Sequence, residues 1–132
     1  MITKILSIAI EKALSELYSA NDQSIQFQKT RKGFKGDITL VVFPFLQSSR
    51  KSPEKTANEI GNYLKDNVVE VLNFNVVQGF LNIQISKDYW FNQFVDIYNI
   101  SDYGIIKVGK DAPLYLVEYS SPNTNKPIHL GH

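Results

Sequence analysis

The stretch VVEVLNFNVVQGFLNIQIS, residues 68–86, decides the fold class. Two β-rich runs, 68–77 and 79–86, meet at Gln78-Gly79, a dipeptide suited to a tight turn. In the second run Leu81, Ile83 and Ile85 point one way, while Asn82 and Gln84 point the other. A period of two with one apolar side describes a hairpin that needs a covering layer. The covering material flanks it. Ser52 suits an N-cap and Pro53 a first helical position, and Ala57, Ile60, Gly61 and Leu64 mark one face of a helix over 53–66. On the other side Ser86 caps a helix with Phe91, Phe94, Val95 and Tyr98 on one face and Trp90 beside them. These aromatics are expected to be core.

Further upstream, DITLVVFPF (37–45) reads as a central strand, apolar on both faces near its end, with Pro44 ending its pairing. SIQFQK (24–29) alternates and reads as its partner, and TRKGFKG (30–36) is the turn between them. Residues 3–19 carry Ile5, Leu6, Ala9, Ala13 and Leu17 at helical spacing, with Asn21 and Asp22 at the exit. The order is αββαββα. It predicts a two-layer α+β domain, a mainly antiparallel four-stranded sheet with helices on one face, over residues 1–100. SDYGIIKVGKDAP (101–113) reads as a linker, and LYLVEYS (114–120) begins a new apolar strand. Residues 114–132 are therefore expected to be the truncated start of a second domain, which makes the chain a fragment.

A length of 132 residues leaves room for one domain and little more. The absence of cysteine removes disulfide frameworks, thiol catalysis and cysteine–zinc sites. No apolar run approaches the ~18 residues of a membrane span, and the amphipathic N-terminus has no signal-peptide pattern, so a cytoplasmic protein is expected. The net charge of +1 is uninformative, but its distribution is not. Half of the 14 basic residues, Lys29, Arg31, Lys32, Lys35, Arg50, Lys51 and Lys55, fall within residues 29–55, opposed only by Asp37 and Glu54. Such a cluster suits phosphate contact, or simply solvates two loops. A strand over 37–43 would separate its halves by roughly 20 Å, so one patch is not assured.

The chain closes on EYSSPNTNKPIHLGH (118–132). His129-Leu130-Gly131-His132 follows a strand and should lead into a helix, a turn that offers backbone N–H groups to phosphates. Two imidazoles three apart can donate to a triphosphate as charge builds, and Gly131 leaves room for a base or ribose. With no third ligand nearby in sequence, a metal site is not expected. Alone the tetrapeptide is a weak signal. Together with Val117-Glu118-Tyr119-Ser120-Ser121-Pro122-Asn123 and Lys126-Pro127-Ile128, it closely resembles the catalytic signature of class I aminoacyl-tRNA synthetases, specifically the arginyl family. Upstream, Gly36-Asp37, Pro53 and Gly79-Phe80-Leu81-Asn82-Ile83 occur in the order of that family's N-terminal additional domain. One departure stands out: Ile38-Thr39-Leu40-Val41 replaces the family's polar Tyr-Gln-x-Asn, so base-reading residues are not carried over onto this strand.

The resemblance implies a parent enzyme, an arginine–tRNA ligase as the full-length protein, that activates arginine with ATP and Mg2+ and transfers it to tRNA(Arg). Lys126, His129, Gly131 and His132 would form its ATP side, with His129 and His132 catalytic. Glu118, Ser121 and Asn123 would hold arginine, and no resident metal is implied. The additional domain would touch the tRNA D-loop at the outer corner, with Lys29, Arg31, Lys32 and Lys35 on the backbone and Phe34 or Tyr103 available for stacking. A monomeric parent with no membrane partner is expected, and the fragment alone should be inactive. Two alternatives are a free-standing RNA-binding α+β module and another adenylyl-transferring enzyme with the same His-x-Gly-His turn.

Overall fold

The computed structural model describes residues 1–21, 23–117 and 124–127. It divides into two units, Met1–Ser101 and Asp102–His132.

In the first unit, helix α1 (Ile2–Tyr18) buries Ile2, Leu6, Ile10, Ala13 and Leu14. The stripe is rotated from the expected one, and Leu17 is left exposed. Ser19, not Asn21, ends the helix. It turns left-handed, and the N–H groups of Ser19 and Ala20 donate to Ser15 and Leu14, satisfying carbonyls of the last turn. Strand β1 (Phe27–Lys29) is shorter than the alternating run. Strand β2 (Ile38–Val41) stops before Pro44, and a 3-10 turn (Phe43–Phe45) runs into a short helix α2 (Leu46–Ser49) that the sequence pattern did not announce. Proline cannot donate to a ladder but fits the first turn of a helix. Helix α3 (Pro53–Asn67) starts as read: Ser52 Oγ accepts from the Lys55 N–H at 3.3 Å. The hairpin of β3 (Val71–Val77) and β4 (Phe80–Ile85) turns at Gln78 and Gly79, both with positive φ (50° and 78°), which suits the twist of antiparallel strands. Helix α4 (Lys87–Tyr98) is capped by Ser86.

The sheet order is β1-β2-β4-β3, antiparallel throughout. Leu40 faces Leu81, and Ile38 faces Ile83. Leu40, Leu81 and Ile83 pack with Leu6, Ile10 and Leu14 of α1 and Ala57, Ile60 and Leu64 of α3 in one apolar cluster. Register shifts between Val71 and Asn73, which leaves Leu72 without a partner across the sheet.

The aromatics of α4 are a correction. Trp90, Phe91, Phe94 and Tyr98 are exposed, Val95 is only half-buried, and α4 buries no residue. The helical face of the sheet is already filled by α1 and α3, and from α4 only Tyr89 packs against the core. In the second unit, the described residues form turns at 102–104, 110–111 and 124–125 and no helix or strand. Leu114–Val117, expected as a strand, is exposed and unpaired there, since a strand needs a neighbour for its N–H and C=O groups. No helix among the described residues is long and apolar enough to cross a membrane.

Candidate nucleic-acid interface

The face of the sheet opposite the core carries a polar row. Register places Gln28, Thr39, Asn82 and Asn75 side by side across all four strands. Thr39 donates to Asn82 Oδ1 at 2.6 Å, and Asn82 Nδ2 donates to Asn75 Oδ1 at 3.0 Å. Thr30 Oγ1 lies 3.0 Å from Thr39 Oγ1, and Asn75 Nδ2 donates to the Lys35 carbonyl. Thr39 of β2 and Asn75 of β3 thus hold the 30–36 loop down on the sheet, and Asn82 of β4 links the two. Thr39 and Asn82 are buried beneath it, with their polar groups paired.

Gly36 and Asp37 complete the clamp. Gly36 has φ 138°, and a Cβ there would meet the Asn82 Cβ at 3.1 Å, so a side chain would lift the loop. The Asp37 N–H donates to the Ile83 carbonyl and its carboxylate accepts from the Ile85 N–H, each at 2.8 Å.

Loop placement creates a recess on this face of the sheet. Gln28, Arg31, Phe34, Gln78 and Phe80 line it above Thr39 and Asn82. The Arg31 guanidinium sits 5.9 Å from the Phe80 ring centroid, while Phe43 meets the same ring edge-on at 5.4 Å. Phe34 is 47% exposed. An aromatic surface, a guanidinium plane and two glutamine amides suit a flat ring with a polar edge.

Lys29, Arg31, Lys32 and Lys35 are all exposed, and none is in an ion pair among the described residues. The other half of the basic cluster behaves differently. Lys51 Nζ bonds both Glu59 carboxylate oxygens at 2.8 Å and lies 5.4 Å over the Tyr18 ring. The Tyr18 hydroxyl donates to Glu59 at 2.7 Å. The Lys51 hydrogen bond holds the Glu59 carboxyl below its ordinary range, while burial, then Glu59, pushes the Tyr18 phenol up. Lys51 therefore ties α3 to α1.

Sequence reading found Arg31 and Phe34 but missed Gln28, Gln78 and Phe80. Alternation had put Asn82 opposite the core, but only the strand register shows which residues join it. Tyr103 is exposed and belongs to the second unit. Lys126 lies in an exposed turn, whereas Glu118, Ser121, Asn123, His129, Gly131 and His132 fall outside the described residues. Among the described residues no three His, Asp or Glu side chains form a metal-binding group.

Comparison with known proteins then bears on identity. Residues 4–85 match the family model described as arginyl tRNA synthetase N terminal domain. Arginine–tRNA ligase of Parabacteroides distasonis is 52% identical over 126 residues, covering 94% of this chain and 21% of that protein. The ligase of Flavobacterium psychrophilum is 44% identical, covering 98% of this chain and 23% of its own. The chain spans about a fifth of the length of these curated relatives. Among solved structures, the Thermus thermophilus arginyl-tRNA synthetase aligns with TM-score 0.59 and 24% identity over 70% of this chain and 15% of that one. The Plasmodium falciparum enzyme aligns with TM-score 0.59 and 15% identity, over 74% of this chain and 18% of that one. Those two likenesses speak for the fold. The family-model match, which covers more than half of the residues, speaks for descent: the chain belongs to the arginyl-tRNA synthetase N-terminal domain family.

Proposed function

We propose that the chain is the N-terminal part of an arginine–tRNA ligase and that its open sheet face holds the tRNA D-loop at the outer corner. The observation that carries the reading is the family match over residues 4–85, joined to relatives named arginine–tRNA ligase. Residues 1–100 are the tRNA-contacting domain, 101–113 the linker, and 114–132 the start of the catalytic domain. The parent works in the cytoplasm as a monomer on arginine, ATP with Mg2+, and tRNA(Arg).

In the RNA step, Lys29, Arg31, Lys32 and Lys35 neutralise backbone phosphates and release counterions. Phe34 and the Arg31–Phe80 pair take an unstacked base, whose polar edge meets the amides of Gln28 and Gln78. In the activation step, Glu118, Ser121 and Asn123 hold the arginine end that reacts. Lys126, His129 and His132 donate to phosphate oxygens as charge develops during attack at the α-phosphorus, and Gly131 admits the nucleoside.

The test joins residues 1–132 in frame to the remainder of the P. distasonis ligase. Arginine-dependent ATP–pyrophosphate exchange and charging of tRNA(Arg) are expected. Exchange with none of the twenty amino acids overturns the reading. Within the active fusion, Phe34→Ala should raise KM for tRNA several-fold and leave KM for arginine unchanged. An unchanged KM for tRNA removes this face from the interface.

A further inference from the structure

Helix α4 turns its apolar side outward. Trp90, Phe91, Phe94, Ile97 and Tyr98 follow i, i+1, i+4, i+7 and i+8 spacing, one stripe of a helix. They are 44%, 65%, 61%, 38% and 77% exposed, and Phe94 stacks on Tyr98 at 5.9 Å. Single exposed apolar side chains are ordinary on a protein surface, but a contiguous aromatic stripe marks a contact. Exposure of this kind is also uneven along the chain. Among the described residues, seven large hydrophobics are exposed before Trp90, and fourteen from Trp90 to Val117.

We infer that α4 is the seat on which the polypeptide following residue 132 docks, an inference that rests on the ligase reading. Three observations select this occupant. The relatives align over 94% or more of this chain, past α4, yet about four-fifths of their length lies outside the alignment. The unpartnered apolar side chains increase in the direction in which the longer relatives continue. Finally, α4 is too small a surface for a free partner. A twelve-residue helix is about 18 Å long and about 10 Å across, so one side offers on the order of 200–400 Å². A stable complex between separate molecules buries roughly 800 Å² per partner. A tethered neighbour needs less, because the linker supplies a millimolar effective concentration.

The chain has no cysteine, so a single thiol reports on the seat. Phe94→Cys is introduced into the 132-residue chain and into the fusion with the P. distasonis remainder, and maleimide modification is followed peptide by peptide by mass spectrometry. The thiol at position 94 should react at least tenfold more slowly in the fusion, while an Ile8→Cys control on α1 reacts equally in both. Tyr98→Cys gives the same comparison should the first replacement weaken the seat. Equal rates at 94 and 98 in a fusion that still charges tRNA(Arg) overturn the docking and leave the ligase reading intact. Equal rates in a fusion without arginine-dependent exchange overturn both. A rate that already falls with concentration of the 132-residue chain assigns the seat to a second copy and overturns the inference.

Discussion

Gly61 of α3 lies against the ring of Phe74 on β3: a Cβ at position 61 would fall 2.5 Å from two ring carbons. The contact sets how closely the helix approaches the sheet. Alanine at 61 gains about 1 kcal/mol of helix propensity but forces a half-buried ring to move, which typically costs about 1–3 kcal/mol. Gly61→Ala should therefore destabilise the chain by about 1 kcal/mol in urea unfolding, and Phe74→Leu in the same chain should restore part of the loss. Stabilisation by the single change would show that the ring yields freely.

Asn82 joins Thr39 to Asn75 beneath the 30–36 loop. Asn82→Ala leaves a buried hydroxyl and an amide short of partners, a loss of about 2 kcal/mol. Combining it with Thr39→Val should lose less than the sum of the single changes, since the two residues share one network. Additive losses in denaturant titrations would show that the bonds act independently.

Lys32 and Lys35 carry no ion pair among the described residues. If they contact tRNA phosphates, replacing both with alanine flattens the slope of log K against log salt by about 1–2. Filter binding of tRNA(Arg) by the fusion from 50 to 200 mM salt checks this. Lys51→Ala should leave the slope unchanged, because Lys51 is engaged with Glu59.

The same pair sets a pH dependence. The folded state holds Glu59 below its ordinary pKa of 4.5, so its contribution is complete above that value and is lost as pH falls through the lowered one. The pair is partly exposed, so the amount is under about 1 kcal/mol. Tyr18 has the opposite sign: its raised pKa favours folding below pH 10.0 and the contribution fades as pH climbs beyond. Unfolding midpoints from pH 3 to 6 should flatten in Glu59→Gln, and those from pH 9 to 11 in Tyr18→Phe.

Local chemistry made much of the fold legible. Ser52-Pro53 and Ser86 start helices where capping requires, and the Leu81, Ile83, Ile85 alternation gave the inward face of β4. What failed depended on distant partners. Phe91 and Phe94 have the spacing of a core stripe, but spacing does not reveal that α1 and α3 already occupy the sheet. Likewise Arg31 was legible as a cation in a basic loop. Its position over Phe80 depends on Asn75 reaching the Lys35 carbonyl, forty residues away in sequence.

The interruption at Leu72 has a consequence for the molecule among its copies. β3 is one outer strand of the sheet, and its bulge bends a border that would otherwise offer free amides and carbonyls in a straight line. The opposite border, β1, is only three residues long and ends in a lysine. Neither margin makes a good template for zipping onto another molecule, so the sheet resists cross-β aggregation even while α4 shows its aromatics to solvent.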